Sequence, residues 1–206
     1  MVDGAALTRR HVIGLGLGVL VARALPVARA LAQSPLPVDA DGTLQAFADT
    51  ILPGRKVAVT ESGAAVHPQA IAGVDSLPGA VEADVLALFH HPKIGFDALE
   101  PAFLADLSQR ALSHGGPFLE LGWDERVAAC TSGLDFANPA RVVWEAAAAV
   151  PFTAFCAAAL VPEQTAATAV GYRVMGLPGA APGGYVKRWR PSHRLSRERT
   201  KSGSLD

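Results

Sequence analysis

Cysteine is scarce in this chain: Cys130 and Cys156 are the only two in 206 residues. That excludes a disulfide-built framework, which needs several bridges to replace a core. With no C-x-x-C and no C-x-x-C-H, neither a redox pair nor covalently attached haem is expected. Long apolar runs are missing as well. The most apolar stretch, residues 142–161, is interrupted by Glu145 and Pro151, whereas a membrane helix needs roughly 20 uninterrupted residues. No permanent membrane span is expected.

The usual marks of catalysis are also lacking. The six histidines never take the H-x-x-x-H or H-E-x-x-H spacing that puts two imidazoles on one helix face. His90 and His91 are adjacent, so their side chains point about 100° apart on a helix. They read as helix C-terminal residues facing the dipole. Serines have no G-x-S-x-G context. The "GLGLG" at residues 14–18 follows no strand, so it is not a dinucleotide fingerprint. Glu82, Asp84, Asp124 and Glu125 fall in expected first turns of helices, where capping explains them. The chain is therefore expected to contribute no catalytic, metal-binding or cofactor-binding residue of its own.

What is present begins at the N-terminus. "TRRHVIG" (Thr8–Gly14) precedes an apolar run from Val12 to Ala22, and a small-residue stretch ends at Ala30-Leu31-Ala32. This is the three-part form of an export signal, with cleavage expected after Ala32. The run is about half the length of a bilayer span and is followed at once by Arg23. Arg9 and Arg10 match the receptor-read pair of a twin-arginine signal. Residues 1–32 are read as that signal, and the chain as exported to the periplasm, cell envelope or extracellular space. The twin-arginine route carries folded cargo, which suits a protein that travels with a cofactor-loaded partner.

Charge is segregated along the remainder. Residues 33–186 hold 7 basic and 16 acidic side chains, a balance of −9; residues 187–206 hold 7 and 2, a balance of +5. An acidic, exported body speaks against a nucleic-acid partner. The basic end reads as a solvated, disordered tail. Folding back on the acidic body, or docking on an acidic partner, are the other uses of such a segment.

Periodicity from residue 33 to 186 predicts a single compact all-α domain of about six helices, with no β alternation, hairpin signal or repeat. A first helix runs to about Leu52, capped by Asp39 or Asp41, with Leu44, Phe47, Ala48 and Ile51 on one face. Pro53-Gly54 ends it, and a loop with a helical turn near Gln69–Val74 follows. A second helix is expected from Pro78 through His91, a third over Phe96–Ser113, and a shorter one over Asp124–Thr131. A long apolar helix, kinked at Pro151, and a last one over Pro162–Met175 complete the set. Cys130 and Cys156 fall in two of these helices, either bridged or as buried free thiols.

Three blocks resemble one family in order. "LQAFADTILPG" (Leu44–Gly54), "LPGAVEADVLALF" (Leu77–Phe89) and "GYRVMGLPGAAPGGY" (Gly171–Tyr185) are similar to segments of the gluconate 2-dehydrogenase subunit 3-like proteins, with Trp144 on an intervening helix. The resemblance implies a small, non-catalytic, all-α accessory subunit. It would bind a large flavoprotein of the glucose–methanol–choline (GMC) oxidoreductase type, FAD residing in that partner, and escort it through the twin-arginine export machinery. The loop 54–76 and the basic tail depart from the family pattern. A partner interface is expected at Tyr172, Met175, Pro178, Gly179 and Tyr185, where a Gly/Pro turn is flanked by tyrosines. The same residues also read as core and helix cap. A stand-alone exported helical binding or structural protein, and an independent exported enzyme, are the competing functions.

Overall fold

The computed structural model describes residues 37, 39–155 and 170–176. Six α-helices are present among them: α1 Ala40–Ile51, α2 Val85–Phe89, α3 Glu100–Ser113, α4 Trp123–Leu134, α5 Arg141–Thr153 and α6 Val170–Val174. Short 3₁₀ turns at Phe96–Ala98 and Phe118–Glu120 lead into α3 and α4. The fold is all-α. One antiparallel bridge, Val59 to Ala65, pinches the loop between α1 and α2 where no hairpin was expected.

Helix α1 starts as the sequence predicts: Asp39 caps it, its carboxylate accepting from the Gly42 amide at 2.8 Å. The expected helix from Pro78 to His91 is corrected. A single turn ends at Asp84, which sits in the left-handed region at φ 59°. The Asp84 amide donates to the Val81 carbonyl and the Val85 amide to the Ala80 carbonyl. This is the paired hydrogen-bond pattern that ends helices, here built on aspartate instead of glycine. Only Val85–Phe89 then resumes as helix. Glu82 and Asp84 are therefore not first-turn carboxylates, whereas Asp124 and Glu125 are. The turn expected over Gln69–Val74 is confined to Pro68–Ala70. Pro151 lies in the last turn of α5, which ends at Thr153; lacking an N–H, it cannot make the helical bond to the Ala147 carbonyl.

The core lies where α5 meets α1, α2, α3 and α4. Phe96, Leu99, Phe103, Leu107 and Ala111, the stripe read from the sequence, are all buried. Phe103 stands edge-on to Phe47 at 4.7 Å and to Trp144 at 5.1 Å between ring centroids. Such T-shaped pairs place ring edges on ring faces and add roughly 0.5–1.5 kcal/mol each beyond area burial. Trp144 is fully buried, and its indole N–H donates to Asp106 at 2.7 Å. Arg110 donates to the same oxygen at 2.6 Å and to the Ser132 carbonyl at 2.9 Å. Gly133 is required beside it: a Cβ there would overlap the indole ring.

Candidate interaction surface on a stapled loop

The segment from Pro53 to Asp84 contains no helix of four turns or strand of its own, yet it is tied down along its length. Loops this long inside a compact domain are uncommon and usually functional. Two polar residues one helical turn apart on α1, Gln45 and Asp49, are both buried and both reach it. The Gln45 amide donates to the Ala65 carbonyl at 3.3 Å and accepts from the His67 amide at 2.8 Å. Asp49 accepts from the Ala72 amide at 2.8 Å and from the Gly54 amide at 3.4 Å.

From α4, Arg126 reaches the same loop. It is 4 % exposed and donates to four carbonyls, those of Gln69, Ala70, Phe118 and Leu119. Its guanidinium also stands 5.7 Å from the centre of the Phe118 ring. On the loop itself, Lys56 donates to the Pro68 carbonyl at 3.2 Å, and Arg55 pairs with Glu82 at 2.9 Å. Where the loop leaves and returns, Gly54 and Gly79 meet backbone to backbone, and a Cβ on either would collide with the other.

Burial shifts the charges of these staples. The Asp49 pKa is raised, chiefly by desolvation, against the opposing pull of its two backbone N–H bonds and of Arg126. Arg126 is pulled down by desolvation and held up by Asp49. One turn further along α4, the free thiol of Cys130 is pushed up to about 12 by burial, so it stays protonated and unreactive at neutral pH.

With its polar backbone groups satisfied inward, the loop turns three apolar side chains outward: Val59, Val74 and Leu77, the last 66 % exposed. Helix α6 lies beside this loop. Gly171 packs directly on the backbone of Ala154 and Phe155, and Val174 packs on the core. Arg173 lies 3.7 Å from Glu61, near the pinched end of the loop.

Of the residues expected at a partner interface, Tyr172 is half-buried and Met175 is exposed, both on or next to α6. Pro178, Gly179 and Tyr185 lie outside the described residues, as do Arg9, Arg10 and Cys156. The surface therefore joins two described members of the expected interface with a loop that sequence reading left unassigned. Gln45, Asp49 and Arg126 were not singled out beforehand. The one sequence signal for the first two is their i, i+4 spacing on an otherwise apolar helix face.

A second cluster forms around His90, at the end of α2. Its Nε2 lies 3.1 Å from Asp41, and its Nδ1 lies 3.7 Å from Asp97 and 3.6 Å from Glu100. His90, Asp97 and Glu100 present one ligand atom each within 4.8 Å of one another. They are the described residues with the donor set for a divalent cation. His91 does not join them; its Nδ1 accepts from the Lys93 amide at 3.2 Å. Burial raises the Glu100 pKa, the neighbouring Asp97 and Asp41 add to that rise, and His90 opposes it.

No curated protein and no solved structure matches the chain. One family model does, and it spans residues 39–201, from the aspartate that caps α1, through the stapled loop and all six helices, into the basic C-terminal stretch. The chain thus belongs to that family, a family of unknown function designated DUF5987.

Proposed function

We propose that this protein is a non-catalytic small subunit, and export escort, of a flavin-dependent oxidoreductase of the GMC type. FAD would sit in the partner, and the twin-arginine signal of the small subunit would take both across the membrane. The observation that carries the reading is the stapled loop. A free loop of this length would lose conformational entropy on meeting a partner, about 1–2 kcal/mol per residue fixed. Here Gln45, Asp49, Lys56 and Arg126 have already fixed it, with Val59, Val74 and Leu77 facing outward. Preorganisation of that kind suits an interface. The block Leu44–Gly54, which resembles the accessory subunits, contains three of the residues that fold the loop: Gln45, Asp49 and Gly54.

The test is purification of the C-terminally tagged chain from its native host, with an absorption spectrum and mass analysis of what accompanies it. A yellow complex containing a GMC-type flavoprotein is expected. Changing Arg9 and Arg10 together to lysine should then leave both proteins inside the cell. A colourless chain, exported alone, overturns the reading.

A further inference from the structure

Ten polar side chains are buried among the described residues, and nine of them have a hydrogen-bond partner. Three of the nine are carboxylates. Asp49 accepts from two backbone amides, Glu82 from Arg55, and Asp106 from Trp144 and Arg110. The exception is also a carboxylate. Asp84 is 9 % exposed, and among the described residues no hydrogen bond or ion pair reaches its side chain. A buried charge left without a partner opposes folding. Arg141 Nε is the one side-chain polar atom among the described residues that is shut off from solvent with no partner, so the Asp84 oxygens keep contact with the outside. Asp84 is a carboxylate recessed behind a small opening.

Its backbone is strained as well. Asp84 is the one non-glycine residue with a positive φ among the described residues. Aspartate visits that region when its short side chain bonds locally, and this one does not. It stands just before α2 but makes no capping bond to it, so the usual use of an aspartate at a helix start is excluded. Glycine would relieve both the strain and the buried charge. Strained, unsatisfied groups held in place by a fold cluster at binding sites. The location fits that reading. Asp84 closes the stapled loop, and two residues before it the Glu82 carbonyl accepts from the Glu61 amide at 2.9 Å. That bond joins this turn to the pinched end of the loop, where Val59 is exposed and Arg173 of α6 lies beside Glu61.

We propose that Asp84 is the receptor for one lysine side chain of the protein that docks on the stapled loop. A lysine suits the opening because its ammonium is a compact charge on a slender four-carbon stem, whereas the guanidinium of arginine is a broad planar fork. The methylenes of that stem would line the apolar mouth while the charge meets the carboxylate. Docking would then supply the bond that the free chain lacks. The proposal rests on the reading of the loop as a partner surface, but not on the partner being a flavoprotein.

The test compares the tagged full chain, purified from its native host, with its Asp84→Gly and Asp84→Asn variants. Separated from its partner, the Asp84→Gly chain should show a higher urea midpoint than wild type, and Asp84→Asn one no lower. Affinity for the partner should nevertheless fall at least about ten-fold in both, read as partner retained through a dilution series. In the wild-type complex, zero-length carbodiimide coupling should join Asp84 to a lysine of the partner. Full retention of the partner by either variant overturns the proposal. So does the absence of that cross-link, or a lowered midpoint in both variants, which would make Asp84 a structural residue. The two readings fail separately. A flavoprotein that both variants retain sinks the lysine receptor alone. A partner without flavin, linked at Asp84 and lost from the variants, sinks the GMC reading alone. A wild-type chain that brings no partner overturns both.

Discussion

Two regions of this molecule share one apolar core but differ in what fixes their conformation. Around Trp144 and Phe103, five aromatic rings and the aliphatic stripe of α3 interlock, and polar groups enter only as the Asp106 bridge. Along the loop from Pro53 to Asp84, Val66, Ala70, Ile71, Ala80, Val81 and Ala83 are buried against the core, but with no α-helix or strand of its own the loop takes its shape from side chains that reach backbone: Gln45, Asp49 and Arg126. Apolar packing is non-directional and tolerates exchange of similar shapes. A side chain bonded to specific backbone groups fixes one conformation, and leaves buried polar atoms stranded when it is lost. The core sets how stable the domain is; the staples set the shape of the loop's outward face.

Substitutions on either side separate these roles. Trp144→Ala should have the largest effect, about 3–5 kcal/mol, seen in urea melts as a lower midpoint for the whole domain. A cost under 1 kcal/mol would mean that the aromatic interlock is dispensable. Arg126→Met should cost about 3 kcal/mol, because four carbonyls lose a charged donor. Its mark is local: hydrogen exchange should quicken at the amides of Ala70 and Ala72 well before those of α3. Equal loss at both places would remove the distinction between core and staple. Gln45→Ala should cost about 1–2 kcal/mol for its two bonds to the loop, with faster exchange at the His67 amide.

The smallest effect is one of pH. Burial raises the Asp49 pKa above its unfolded value, so the native state holds that proton more tightly. The stability this gives is complete below the ordinary carboxylate range and is lost as pH rises through the raised value. Between pH 4 and 7, wild type should therefore lose stability relative to Asp49→Asn as pH increases. A difference that grows in favour of wild type with rising pH would refute the assignment.

The helices were legible in the sequence because apolar periodicity is a local property. Leu44, Phe47 and Ala48 on α1, and the five-residue stripe ending at Ala111, are buried as their spacing predicts. The break at Asp84 was not legible. Aspartate carries no strong expectation of left-handed backbone, and its neighbours Val81, Val85 and Leu88 keep a helical spacing straight across it. The loop was hidden for a related reason. Its order resides in partners 20 to 57 residues away in sequence, and one chain does not display such pairings. Nor did His90 announce its neighbours. The carboxylates that surround it come from three elements, and only folding brings them to one ring.

The glycine-to-glycine contact gives the loop a further property. Since Gly54 and Gly79 touch, and the Arg55 and Ala80 amides bond across the gap to Leu77 and Leu52, the excursion departs from and returns to one point. Between those ends the loop is held at Ala65, His67 and Ala72 by α1 and at Gln69 and Ala70 by Arg126. Each doubling of such a loop adds only about 0.6 kcal/mol of closure entropy. At its far rim stands Gly63, exposed, with a positive φ and open space around its Cα. A reporter peptide spliced in there would lengthen the loop without touching the Gly54–Gly79 closure or the bonds from Gln45, Asp49 and Arg126, giving a handle on its outward face.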